Sequence, residues 1–182
     1  MSKSLSHHFH GTTGERRFLA SQGQTESDII RKRVQDLDLR EHPVKHKSTL
    51  SRKKIKEKID NRTASKDDYK KYYSLQRLAK RRKKGVNDFW KQEKKKKKKG
   101  EPTTRNWTAE QRNDILHNRI PKVNGKRMQG HHSYSVSKYP HLANKGEVIF
   151  PATFEEHLYV WHGGNFQNSL PGRPFSRKRK GV

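Results

Sequence analysis

Gln129-Gly130-His131-His132, followed downstream by His157-Leu158-Tyr159-Val160-Trp161-His162-Gly163-Gly164-Asn165, decides how this chain is read. Four imidazoles on two nearby segments could hold one metal ion and leave a ring free as a base. The residues between them suggest how they meet. Residues 126–137 read as a strand or the first arm of an irregular hairpin. Pro140 and Asn144-Lys145-Gly146 mark a loop, and Glu147–Phe150 reads as a second short strand ended by Pro151. Thr153 with Glu156 makes a capping box that opens a helix through Val160, and Gly163-Gly164 stops it. Neighbouring strand residues point to opposite faces. One histidine of the pair can therefore turn to an ion while the other turns to a water.

Composition limits the class of partner. The chain has 182 residues, with 44 Lys and Arg against 18 Asp and Glu, for a formal net charge of +26. Only 27% of its residues are hydrophobic, and mean hydropathy is −1.33. Such a surplus of cations favours polyanions through counterion release. The plainest reading is a basic protein that coats nucleic acid without acting on it. There is no cysteine, which removes disulfides, zinc ribbons and thiol catalysis together. No apolar run approaches the ~20 residues of a membrane span. Met1–His10 has no apolar core of a signal peptide.

Residues 1 to 25 lack periodicity and read as flexible, with His7, His8 and His10 as an incidental cluster. A helix is expected over 27–40, with Ile30, Val34 and Leu37 on one face and Pro43 closing the segment. Ser51 should cap a second helix carrying Ile55 and Ile59. Ser65 and Asp68 should open a third, with Tyr69, Tyr72, Tyr73, Leu75 and Leu78, stopping at Gly85. Its aromatics are expected to pack a helix pair rather than to stack on nucleic acid. Lys94–Lys99 reads as a solvated, charge-repelled linker. That run and Arg177–Lys180 also read as nuclear-localisation patterns. Thr108 and Gln111 form another capping box, before a helix carrying Ile115 and Leu116 and ended by Pro121. The expected division is a basic helical or flexible region over 1–100 and a folded domain over 101–182.

The ordered blocks Gln129–His132, Tyr139–Ala143, Thr153–His157 and His162–Asn168, preceded by Trp107-Thr-Ala-Glu-Gln-Arg112, resemble the GHH group of toxin nucleases. These belong to the HNH/endonuclease VII superfamily, the ββα-metal or His-Me finger fold. The resemblance spans roughly 105–172 and implies an α+β nuclease domain behind the basic N-terminal region. It implies His131, His157 and His162 as metal ligands and His132 as the general base for an attacking water. One divalent ion is expected, with Mg²⁺, Mn²⁺, Zn²⁺ and Ni²⁺ all open. Cleavage would leave 5′-phosphate and 3′-hydroxyl ends.

One spacing departs from the simple picture. His157 and His162 are five apart, an offset near ~140° on a helix of about 3.6 residues per turn. Both reach one ion only if the helix unwinds or widens before Gly163. Otherwise Asn165 or water completes the set. Asn144 is the candidate for the middle Asn of the HNH pattern, bracing the hairpin loop. Lys126, Arg127, Lys138 and Arg173 are the candidate phosphate contacts, while His117 and His141 read as surface residues.

The resemblance implies a DNA endonuclease of little sequence specificity, the warhead of a polymorphic bacterial toxin. It would be secreted or delivered into a target cell's cytoplasm and paired with an immunity protein, which the charge suggests is acidic. A ribonuclease on the same scaffold and a non-catalytic nucleic-acid-binding protein are the alternatives.

Overall fold

A computed structural model describes residues 24–175. His7, His8, His10 and Arg177–Lys180 lie outside the described residues, as does nearly all of the stretch expected to be flexible. Among the described residues four helices precede the sheets: α1 (Glu26–Arg33), α2 (Arg52–Asp60), α3 (Lys66–Lys98) and α4 (Ala109–Leu116). β1 (Lys122–Val123) and β2 (Lys126–Arg127) form a tight antiparallel hairpin. β3 (Gln129–His132) pairs antiparallel with β4 (Ile149–Ala152), setting His131 opposite Phe150 and His132 opposite Ile149. A π-helix follows at Glu156–Trp161. Strand, loop, strand and helix thus occur in the order of a ββα unit, within an α+β fold.

The capping residues read from sequence all act. Ser51, Ser65 and Thr108 each accept the backbone N–H of the residue three positions on, and Ser65 and Thr108 complete reciprocal boxes; Thr25, not anticipated from the sequence, caps α1 with a box of its own. α1 is shorter than expected because Val34 already caps it. The second strand runs later than expected, since Gly146–Val148 is a 3-10 turn and Pro151 sits inside β4. Tyr72 packs under Arg52 of α2, whereas Tyr69 and Tyr73 stack on each other at the surface.

Two expectations are corrected by α3, which spans 33 residues without a break. Gly85 does not stop it. A Cβ at Gly85 would lie 2.4 Å from the Ala143 carbonyl oxygen, so the glycine is where the helix crosses the hairpin loop in backbone contact. The lysine run is not a linker either, for it is helical through Lys98. Lysine tolerates helix well, and cations at a helix C-terminus meet the negative end of the macrodipole. Lys96 also lies 3.7 Å from the Glu93 carboxylate, and Lys94 donates to the Asn118 side chain.

The core runs across the boundary expected at residue 100. Ile30 and Val34 of α1 and Phe89 of α3 share one buried cluster with Leu142, Val148, Ile149 and Trp161. Glu93 is wholly buried and accepts from Thr104 N–H, the Thr104 hydroxyl and Trp107 Nε1, tying α3 to the chain beyond it. Arg105 then reaches Glu156 through two bonds of 2.8 and 3.0 Å and donates to the Pro151 carbonyl. This buried pair anchors the first residue of the π-helix.

Removing Glu156 takes both carboxylate bonds away from the buried Arg105 guanidinium. Glu156→Ala is expected to lower unfolding free energy by about 3–5 kcal/mol in urea titrations followed by tryptophan fluorescence. Lys56→Ala, which breaks the exposed pair with Asp60, should leave the midpoint where it is.

Candidate metal centre

Three imidazoles meet between β3 and the π-helix. The ligand-capable nitrogens of His131, His157 and His162 all lie within 4.8 Å of one another. Their ring centroids form a near-equilateral triangle, with separations of 5.0, 4.9 and 4.9 Å. The five-residue spacing that defeats an α-helix is met by the widening of the helix itself. A π-helix bonds i to i+5 rather than i to i+4. Residues five apart therefore come back towards one face.

The widened segment is pinned at both ends. Thr153 and Glu156 form the expected capping box, and His157 N–H still donates to Thr153 in α-helical fashion. At the far end Gly164 N–H returns to Leu158 C=O, with Gly163 and Gly164 at positive φ. Between them Trp161 is buried, stacked 4.6 Å from His131 and packed on Phe150.

Hydrogen bonds fix which nitrogen each ring presents. His157 Nδ1 donates to Gln129 Oε1 at 2.6 Å, and His162 Nδ1 donates to the Asn168 carbonyl. Since both acceptors are oxygens without a proton, each ring keeps its lone pair on Nε2. His131 has no hydrogen-bond partner among the described residues. Such outer contacts orient ligating imidazoles in general. Burial, and then the neighbouring His157, His162 and His132, hold the His131 ring well below its ordinary pKa. His157 is lowered to about 4, by burial first and then by His162, Arg82 and His132. Neutral rings with free lone pairs are the form that binds a cation.

His132, next along β3, is not in the triangle but lines the same cleft. Its Nε2 donates to the Ala143 carbonyl at 2.9 Å, which leaves Nδ1 as its basic nitrogen. Burial lowers its pKa to about 4; the Ala143 bond opposes this and Arg82 adds to it. The contact that orients His132 is thus the same carbonyl that Gly85 of α3 approaches. Gly130 has a similar role, since a Cβ there would meet Val86 of α3 at 2.8 Å and Ile149 at 3.0 Å.

The histidines open on a cleft of about 220 Å³ lined also by Arg82 and Phe166, and no acidic side chain lines it. Arg82, on α3, is the phosphate-binding candidate that the sequence did not single out. It stands among the five cations of Lys80–Lys84, and only helix phase selects it. Lys126, Arg127, Lys138 and Arg173 do not line this cleft, and Lys138 is paired with Glu41 instead. Asn165 is not in the histidine group: its side chain caps Gln167 N–H in a tight turn. Asn144 accepts from Arg81 and so ties the hairpin loop to α3. Of the two remaining histidines, His117 caps α4 through Asn113, and His141 donates to Asp38 C=O. Asp38, His42 and His141 form a second group, but Arg40 already holds the Asp38 carboxylate through two bonds.

Residues 74–153 match the family described as GHH signature containing HNH/Endo VII superfamily nuclease toxin. This stretch is similar to the GHH nuclease toxins. The match begins inside α3 and takes in Arg82, Gly85 and the His131-His132 pair, while His157 and His162 follow its end. No curated protein and no solved structure matches the chain. The nuclease-toxin family implies a nucleic-acid substrate, and the histidine triangle is a group that could hold a metal. Among the described residues no helix is long and apolar enough to cross a membrane.

The lowered histidines make the metal-stripped protein sensitive to acid. Below the ordinary imidazole value of 6.5 the unfolded chain gains protons that the folded rings resist. Stability is therefore full above pH ~6.5 and lost progressively as pH falls towards about 4. Melting temperatures measured with EDTA across this range should show the decline, and His132→Asn should reduce it.

Proposed function

We propose that this chain is a metal-dependent endonuclease that hydrolyses phosphodiester bonds, with DNA as substrate and little sequence specificity. The observation that carries the reading is a triangle of three imidazoles, with a fourth, His132, oriented beside it in a cleft that no carboxylate lines among the described residues. Three neutral ligands cancel none of a divalent cation's charge, and Arg82 adds another positive charge. A cleft of that character calls for an anionic substrate group, and a phosphodiester supplies it. A protein that only coats polyanions needs no such convergence.

His131, His157 and His162 fit a divalent ion by distance, and the hydrogen bonds of His157 and His162 leave Nε2 free on each. Imidazole ligands favour zinc or nickel over magnesium in affinity. The bound ion would stabilise negative charge on the phosphate and on the leaving oxygen. The remaining chemistry belongs to the side chains. His132 Nδ1 accepts a proton from a water as that water's oxygen bonds to phosphorus. The phosphorus–O3′ bond breaks on the opposite side, and the departing oxygen takes a proton from solvent. The negative phosphodiester raises the His132 pKa towards a useful range as it binds. The Ala143 carbonyl holds the ring in the tautomer that this requires, and Arg82 grips a non-bridging phosphate oxygen.

As a nuclease toxin the chain would act after delivery into a target cell's cytoplasm. The producing cell would be protected by an immunity protein, whose surface should be acidic to match a net charge of +26.

Purified protein incubated with plasmid DNA should nick and linearise it in Mg²⁺, Mn²⁺, Zn²⁺ or Ni²⁺, and EDTA should stop the reaction. His132→Ala should lower the rate by about 10²–10⁴-fold, with metal affinity kept. Arg82→Ala should raise KM and weaken binding with a smaller salt slope. If total RNA is degraded and plasmid is left intact, the DNA reading fails. If neither is cut in any of the four metals, the enzymatic reading fails.

A further inference from the structure

Half of the large apolar side chains exposed among the described residues lie on the π-helix or the segments flanking it: Phe154, Tyr159, Phe166 and Phe175, against Leu39, Val44, Tyr69 and Tyr73 elsewhere. Phe166 lines the histidine cleft itself and is 48% exposed. Its ring stands edge-on to two of the metal-site imidazoles, with centroids 5.4 Å from His157 and 5.2 Å from His162. Phe154, 45% exposed, lies 6.2 Å beyond it. The loop that presents Phe166 is shaped for the purpose. Gly163 and Gly164 turn the chain at positive φ, and Asn165 caps Gln167 N–H to close a tight turn around Phe166.

We propose that Phe166, with Phe154 beside it, is a stacking platform for an unpaired nucleobase next to the bond being cut. The inference rests on the nuclease reading above and narrows its substrate to single-stranded or locally unpaired DNA. A base is one sugar away from its phosphate. A phosphate held at the imidazole triangle therefore brings its own base, or the next one, to the aromatic rings at the edge of the same cleft. Within a duplex both faces of that base are covered by its neighbours. Only an unpaired base can give a face to Phe166. Stacking of this kind tolerates any sequence, because every base has a π face. It accordingly requires no base-reading side chain. The cationic, carboxylate-free cleft beside the platform favours a nucleotide over an apolar protein segment.

The test uses two arms. In the first, His132→Ala protein is titrated into a single-stranded oligonucleotide containing 2-aminopurine and into the matching duplex. Quenching of the single strand is expected. It should disappear in Phe166→Ala and Phe166→Leu, and persist in Phe166→Trp. In the second, cleavage by the protein with His132 intact is compared on both forms. The single-to-double-strand ratio of kcat/KM should be about tenfold or more, in line with loss of one base stack. Phe166→Leu should bring that ratio close to one, and Phe166→Trp should restore it. Equal cleavage of both forms, or quenching that survives Phe166→Leu, overturns the platform while leaving the nuclease reading intact. Failure to cut either form sinks the nuclease reading, and the fluorescence arm still decides whether the bases stack. A protein-docking role for the patch would show as no response of either arm to Phe166 substitution, which also overturns the proposal.

Discussion

Everything in the site depends on a helix that is one residue per turn too wide. An α-helix would splay His157 and His162 to different sides. The π-helix at Glu156–Trp161 brings both to the ring of His131. Such a helix is rare because its hydrogen bonds are poorer and its packing looser. Here it is held by contacts outside itself. The Arg105–Glu156 pair fixes its start, Trp161 is buried against His131 and Phe150, and the Gly163-Gly164 turn returns a bond to Leu158. The widening and the histidine triangle are one feature, seen first as backbone and then as side chains.

The second constraint is the closeness of α3 to the hairpin. Gly85, Gly130 and Gly146 each sit where a Cβ would strike α3 or the loop it crosses. The glycine ahead of the histidine pair is thus a packing requirement, for Val86 occupies the space a side chain would need. This contact delivers the Ala143 carbonyl to His132 and carries Arg82 to the rim of the cleft. His132, its orienting carbonyl and Arg82 are brought together by one helix–hairpin interface.

Much of this was legible in the residues. The capping pairs at Ser65–Asp68, Thr108–Gln111 and Thr153–Glu156 mark helix starts because their chemistry is local. The histidine pair and the block order indicated a strand–strand–helix site, and the spacing of five stated the condition that the helix then met. What could not be read was decided by tertiary contact. Gly85 looks like a helix stop, and only the loop packed on it shows otherwise. Lys94–Lys99 looks like a repelled linker, but Glu93 is buried nearby and the run lies at a helix end. Arg82 is one cation in five until the helix phase aims it. Gln129 stands in the motif without revealing that it orients His157.

The central claim is that His131, His157 and His162 together hold one divalent ion. X-ray absorption at the zinc edge on protein loaded with one equivalent of Zn²⁺ tests it most directly. The account predicts a first shell with three imidazole nitrogens, falling to two in His157→Ala and in His162→Ala. A shell of one or two imidazoles in the unmodified protein, or one unchanged by either substitution, would contradict it.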